Sequence, residues 1–266
     1  MTDDCINSLI SLEPVFDQGA KLALDFQGKA RSRQKLNTGV AEVDIVTEAD
    51  LAVQEFVLSE IAKTPLVHCK LFAEEATPLV SKFDGTNGYI LALDPIDGTA
   101  LYAASSPIFS TIITLFHGGE VVYTYFNFPA FHWSRRMTRG EIRDFGTPPE
   151  VSLLPNIDGS RTIAYTYGNP EETIPEICQK LASKGYIFRQ RKEISSSAGS
   201  TLLFYEKKVA GFYLDHAGVY DAFGAYHFAK IKGLKLLSGV DLAHFIEGPR
   251  GFYCPGWYLA MWDDNR

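Results

Sequence analysis

Two carboxylates stand three residues apart in Asp94-Pro95-Ile96-Asp97-Gly98-Thr99, directly after the apolar run Tyr89-Ile90-Leu91-Ala92-Leu93. An apolar run of that length, bounded by proline and glycine, reads as a buried strand. The acids therefore sit where a core strand ends and the chain turns. A carboxylate there is costly to desolvate unless a cation or several donors meet it. Gly98 lets the backbone approach a ligand closely, and Thr99 adds a hydroxyl. This set suits a hard-metal site with backbone amides beside it to hold a phosphate.

The spacing excludes several other acidic motifs. An aspartyl-phosphate phosphatase needs its aspartates two apart, and an aspartic protease needs Asp-Thr-Gly where residues 97–99 run Asp-Gly-Thr. Ile96 breaks the alternation that an EF-hand loop requires. The purely structural alternative is an Asp-Pro turn followed by an Asp-Gly turn.

Three flanking stretches decide between these readings. Upstream lie Val43-Asp44-Ile45-Val46-Thr47-Glu48-Ala49-Asp50 and Leu71-Phe72-Ala73-Glu74-Glu75, and downstream lies Gly218-Val219-Tyr220-Asp221-Ala222-Phe223-Gly224-Ala225. In this order and at these separations the chain resembles the inositol monophosphatase family of metal-dependent, lithium-sensitive phosphatases, from its first helix to about residue 255. The resemblance implies hydrolysis of a small phosphate monoester, inositol-phosphate-like first. Fructose-1,6-bisphosphatase, 3′-phosphoadenosine-5′-phosphate phosphatase and histidinol-phosphate phosphatase are alternatives that share the metal core. A catalytically silent regulator that binds metal and phosphate is the alternative outside the enzymes.

By the same resemblance, Glu74, Asp94 and the backbone carbonyl of Ile96 hold a first Mg²⁺, and Asp94, Asp97 and Asp221 hold a second. Such cations take oxygen ligands and act through few carboxylates plus substrate phosphate. Asp50 and Thr99 orient and deprotonate the attacking water, and the amides of Gly98 and Thr99 receive the phosphate. Gly199, Ser200 and Thr201 match a loop that touches substrate, and read nearly as well as a helix start. Asp215 lies near where the family contacts substrate hydroxyls, although its spacing to Asp221 is shifted. Glu75 reads as a supporting or surface acid. Two departures stand out: Tyr220 where the family has Trp, and Phe223 where it has a small residue.

The elements that must position these groups follow from periodicity. Residues 6–26 have apolar positions at mostly helical spacing, and Thr47 opens a second helix with Asp50 in its first turn and Val53, Phe56, Val57 and Ile61 on its buried face. Asp50 has a structural alternative there as a first-turn acid that favours the helix dipole. Strands are predicted at 70–73, 88–93, 109–116 and 120–128, the last two joined across His117-Gly118-Gly119. Pro148 and Pro149 suggest a lobe boundary, giving an N-terminal α+β lobe of residues 1–150 with most metal ligands and a C-terminal α/β lobe of 151–266 supplying Asp221 and the substrate rim. Beyond it come a strand at 161–167, a helix at 171–184, a helix start at 199–201, a strand at 209–214 and a helix at 220–232. The fold class is mixed α/β and α+β. The resemblance implies a layered αβαβα sandwich of the inositol monophosphatase and fructose-1,6-bisphosphatase type, metals between the lobes, and a homodimer.

Composition limits the partners. The 266-residue chain is 46% hydrophobic and 21% charged, ordinary for a globular enzyme, and its net charge of −7 disfavours nucleic acid. No apolar run is long enough for a membrane span, and the acidic N-terminal residues lack a signal-peptide core, so a cytoplasmic location is expected. Cys5, Cys69, Cys178 and Cys254 are scattered, against both a zinc site and a disulfide framework. The basic groups Arg31/Arg33/Lys35, Arg135/Arg136/Arg139 and Arg189/Arg191/Lys192 read as solvated faces, the first bordering a cleft as the best exception.

Overall fold

The computed structural model describes residues 2–27, 32–34, 45–150, 161–190, 197–216, 218–220, 223–248 and 251–263. Helices α1 (Thr2–Ser11), α2 (Glu13–Phe26) and α3 (Glu48–Ile61) come first, with β1 (Ser32–Gln34) and β2 (Ile45–Thr47) paired antiparallel between α2 and α3. Next come β3 (Lys70–Ala73), β4 (Tyr89–Asp97), the short helix α4 (Thr99–Ala103), β5 (Ser110–His117), β6 (Glu120–Phe128), β7 (Trp133–Thr138) and β8 (Glu141–Phe145). Strands β3 to β8 form a six-stranded sheet in chain order, parallel at β3–β4 and antiparallel thereafter.

The second half contributes β9 (Thr162–Tyr165), α5 (Pro170–Thr173), α6 (Pro175–Ala182), β10 (Ile187–Gln190), α7 (Ser197–Tyr205), β11 (Gly211–Asp215) and α8 (Gly224–Lys232). It closes with β12 (Lys235–Ser238), the hairpin of β13 (Ile246–Gly248) and β14 (Gly251–Tyr253), and β15 (Trp257–Met261). Its five-stranded sheet runs β10-β9-β11-β15-β12, with β10, β9 and β11 parallel.

Strand alternation sorts the side chains into layers. Leu91, Leu93, Ile113 and Leu115 pack against Leu9, Phe16, Val53 and Val57 of α1–α3. Ala92, Ile112 and Phe126, from the opposite face of the same sheet, share a core with Leu203 and Phe204 of α7, Phe228 of α8, and Phe212 and Tyr258 of the second sheet. That sheet's far face buries Ile163, Tyr213 and Leu259 against Leu181 of α6. Helices, sheet, helices, sheet, helices: the layering is αβαβα, as expected.

Several boundaries differ from the sequence reading. Residues 6–26 are two helices rather than one, since Pro14 opens α2 and cannot continue a helix. Pro175 likewise splits the helix expected at 171–184 into α5 and α6. Helix α7 begins at Ser197, so Gly199, Ser200 and Thr201 lie inside it rather than at its start. Helix α8 begins only at Gly224. Strand β4 runs on through Pro95 to Asp97. Arg135 and Arg136 are not a solvated face. Both are buried, Arg135 paired with Asp144 at 2.7 Å and stacked over Trp133 and Tyr205, Arg136 paired with Glu13 at 3.2 Å. Phe223 is also buried, with its ring against Phe116, Tyr226 and Tyr258, so the extra bulk joins the middle-layer core. The four cysteines are free thiols. Among the described residues no helix is long and apolar enough to cross a membrane.

Candidate active site

Strands β3 and β4 end side by side, and their registration places the acids. Ala73 pairs with Leu93, and the Glu74 amide donates to the Leu93 carbonyl at 3.2 Å, so Glu74 follows β3 directly beside Asp94. Phe72, Ala92 and Ile112 all face the middle layer. By the two-residue period, Glu74, Asp94 and Ser110 face the same way at the same sheet end. Beyond Asp94 the register with β5 shifts, so that Asp94 pairs with Ile112 and Asp97 with Ser110. This is a β-bulge: Pro95 and Ile96 together oppose Thr111. The Thr111 hydroxyl donates to the Pro95 carbonyl at 2.9 Å and pins the bulge. Without the extra residue Asp97 would point to the helix-packed face. With it, Ile96 takes that face in the core and Asp97 returns to the side of Asp94. Both aspartates are 4% exposed.

Gly98 follows in the left-handed region, φ +86°, and starts α4. A Cβ there would be strained, which accounts for glycine at the turn that brings Thr99 round. The Thr99 hydroxyl donates to the Ile96 carbonyl at 3.1 Å. The oxygen expected to face a metal is thus held in place by the hydroxyl expected to face the water.

Helix α3 supplies the other wall. Asp50 sits in its first turn, 1% exposed. Burial first, and then the Asp50 charge, pushes the Tyr102 hydroxyl on α4 well above the ordinary phenol range. Tyr102 lies on α4 one turn after Thr99. Tyr102 in turn donates to the Ala23 carbonyl at 2.6 Å and anchors α4 to α2. One turn after Asp50, Gln54 is fully buried. Its Nε2 donates to the Glu75 carbonyl at 2.6 Å and its Oε1 accepts from the Glu75 amide at 2.9 Å. Glu75 is buried rather than a surface acid, and its backbone is clamped on both sides.

The structure therefore gathers Glu74, Asp94, Ile96, Asp97, Gly98 and Thr99 at one sheet end, with Asp50 on the adjoining helix. Asp221 lies outside the described residues, as do Asp44, Arg31 and Lys35. Its neighbour Tyr220 is buried in the middle layer and accepts at its hydroxyl from the Phe252 amide, 3.1 Å. The Phe252 ring lies 4.2 Å from that of Phe72, two residues before Glu74.

The remaining expected residues form a second group on the other sheet. Asp215 ends β11, buried. Its Oδ2 accepts from the Thr173 hydroxyl at 2.7 Å, and His216 Nδ1 lies 2.7 Å from Oδ1, an ion-pair distance without hydrogen-bond alignment. Gly168 packs so tightly here that a Cβ would come within 2.5 Å of the Asp215 Cβ. Ser200 is buried inside α7 with its hydroxyl 3.2 Å from that of Thr166, and Gly199 and Thr201 are buried beside it. Sequence reasoning missed Gln54, Thr111 and Ser110. Gln54 alone had a local signal, its four-residue spacing from Asp50 on one helical face.

The donor set can be tested against the divalent cation that the fold implies. Glu74, Asp94 and Asp97 offer carboxylate oxygens on one face, with a backbone carbonyl between, and neither sulfur nor imidazole is among them. That chemistry fits Mg²⁺, which keeps waters and does not need a closed protein cage. Among the described residues, which leave out Asp221, no group of three or more His, Cys, Asp and Glu side chains is placed to hold a metal ion.

Sequence comparison shows the family to which this layered fold belongs. Residues 12–203 match the inositol monophosphatase family, and the chain belongs to that family. The chain is 31% identical over 152 residues to a histidinol-phosphatase of Chlorobaculum parvum, matching 56% of this chain and 55% of that protein. It thus spans about half the length of the curated relative it matches. The Thermotoga maritima IMPase superposes with a TM-score of 0.66 at 17% identity, covering 96% of this chain and 92% of that one. An IMPase/NADP phosphatase complexed with Mg²⁺ and phosphate gives 0.64 at 17% identity, over 98% and 92%. At these identities the superpositions speak for the fold.

Proposed function

We propose that this protein hydrolyses a small phosphate monoester with Mg²⁺, and that the substrate is an inositol-phosphate-like polyol phosphate. The observation that carries this reading is the bulge in β4, which puts Asp94 and Asp97 on one face beside Glu74. Mg²⁺ bound there supplies charge neutralisation for the phosphate and a lowered pKa for the attacking water. Glu74, Asp94 and the Ile96 carbonyl hold a first ion, and Asp94, Asp97 and Asp221 hold a second. Asp50 accepts the proton of the attacking water while the Thr99 hydroxyl orients it. The amides of Gly98 and Thr99 receive the phosphate oxygens. In this reading residues 1–150 carry most of the ligands, and residues 151–266 supply Asp221 and the rim with Asp215, Gly199, Ser200 and Thr201. A homodimer in the cytoplasm and inhibition by lithium complete the proposal, on the strength of the family.

A second substrate reading, histidinol phosphate, is favoured by the 31% identical relative. A silent metal- and phosphate-binding regulator is disfavoured by Asp50 and Thr99, which binding alone does not require. Phosphate release with Mg²⁺ from inositol, sugar, nucleotide and histidinol phosphates tests the proposal. Fastest release from an inositol phosphate supports the first reading, and fastest release from histidinol phosphate supports the second. No release from any of them overturns both.

A further inference from the structure

Ser110 stands directly across from Asp97 in the β4–β5 ladder, and its side chain is fully buried. Directly opposed residues in an antiparallel pair point to the same face, with Cβ atoms about 5 Å apart. The Ser110 hydroxyl nevertheless has no hydrogen-bond partner among the described residues. A buried hydroxyl without a partner costs free energy, and alanine would avoid that cost in the same space. Its neighbour Thr111 shows the contrast, since that hydroxyl is spent on the Pro95 carbonyl. Ser110 is the other hydroxyl that β5 brings to the bulge, and it faces the carboxylates.

We propose that Ser110 is a positioning residue of the cation site, its hydroxyl hydrogen-bonding a water carried by the cation that Asp97 binds. This rests on the metal reading given above. Two observations and one property of the cation lead to it. The hydroxyl shares the Glu74 and Asp94 face. It lies opposite Asp97 without being bonded to it, and a water held by the cation would give it a partner. Mg²⁺, which retains several waters, brings partners of the right kind. Groups that orient a cation's ligands in this way alter metal affinity about 10–100-fold when removed.

The test uses Mg²⁺ alone on the full chain, comparing wild type with Ser110→Ala by calorimetric titration and by thermal melts in chelator and in Mg²⁺. The expected result has two signs: Ser110→Ala melts at or above wild type in chelator, and it binds Mg²⁺ about tenfold more weakly with a smaller Mg²⁺-induced shift. Ser110→Cys, which keeps a weak donor, should fall between them. Equal Mg²⁺ affinity in wild type and Ser110→Ala overturns the assignment and leaves the metal reading standing. A lower melting point for Ser110→Ala in chelator also overturns it, by showing a structural role for the hydroxyl. Failure of the wild type itself to bind Mg²⁺ overturns both.

Discussion

The Gln54 side chain clamps Glu75 through both of its polar atoms, donating to the carbonyl at 2.6 Å and accepting from the amide at 2.9 Å. Because Glu75 follows Glu74, helix α3 fixes the direction in which the chain leaves β3 and hence the place of the first carboxylate. Asp50 rides on the same helical face one turn earlier. A single rigid element thus sets the proposed general base and a proposed metal ligand relative to each other. Gln54→Ala should lower stability by about 2–4 kcal/mol, since two buried backbone groups lose their partners. It should also raise the Mg²⁺ concentration needed for half-maximal activity. Denaturant unfolding and a Mg²⁺ activation curve check both effects, and an unchanged activation curve would detach α3 from the metal site.

The water-activating pair can be separated from the ligands. Asp50→Asn and Thr99→Ala should each reduce turnover on the order of a hundredfold or more, with Mg²⁺ affinity largely kept. Steady-state turnover and calorimetric Mg²⁺ titration of each variant provide the check. Near-wild-type turnover in both would leave Asp50 as a helix-start acid.

Asp97→Asn keeps the shape of the bulge and removes one of the clustered charges. In chelator the variant should melt at or slightly above wild type, because like charges on one face repel. In saturating Mg²⁺ the order should reverse, since wild type gains more binding energy linked to folding. Thermal melts in the two conditions decide. Equal destabilisation in both would make Asp97 a structural turn residue.

His227 is buried on α8 with Nδ1 3.0 Å from the Thr124 hydroxyl. Burial first, and then the charge of Lys230, pulls its pKa from the ordinary 6.5 down to about 3. The folded protein therefore holds it neutral where the unfolded chain takes up a proton. Its contribution is intact above the unfolded pKa, and stability is lost as pH falls from about 6.5 towards about 3. The loss is about 1.4 kcal/mol per pH unit over that window. His227→Gln should flatten that part of the profile relative to wild type. Unfolding free energies at several pH values, compared as differences between the two proteins, measure it.

Much of the scaffold was legible because its signals are local. The apolar run before Asp94, the Gly118-Gly119 hairpin turn and the periodic face of α3 each carry their own pattern. Strand β4 was read as ending at Leu93 because Pro95 argues against a strand interior. Its continuation to Asp97 depends on β5, whose Thr111 and Ser110 supply the pinning bond and the registered partner. Arg135 and Arg136 looked solvated for a similar reason: Glu13, which pairs with Arg136, is 123 residues away in the chain. The candidate site was legible as residue types in order. The bulge that turns Asp97 to the side of Asp94 was not, since it is a relation between two strands.

Phosphate release by wild-type enzyme from its best substrate, assayed first in excess chelator and then with added Mg²⁺, tests the metal-centred account most directly. The expected result is no turnover in chelator and full recovery on adding Mg²⁺. Undiminished turnover in excess chelator would contradict the roles given to Glu74, Asp94 and Asp97.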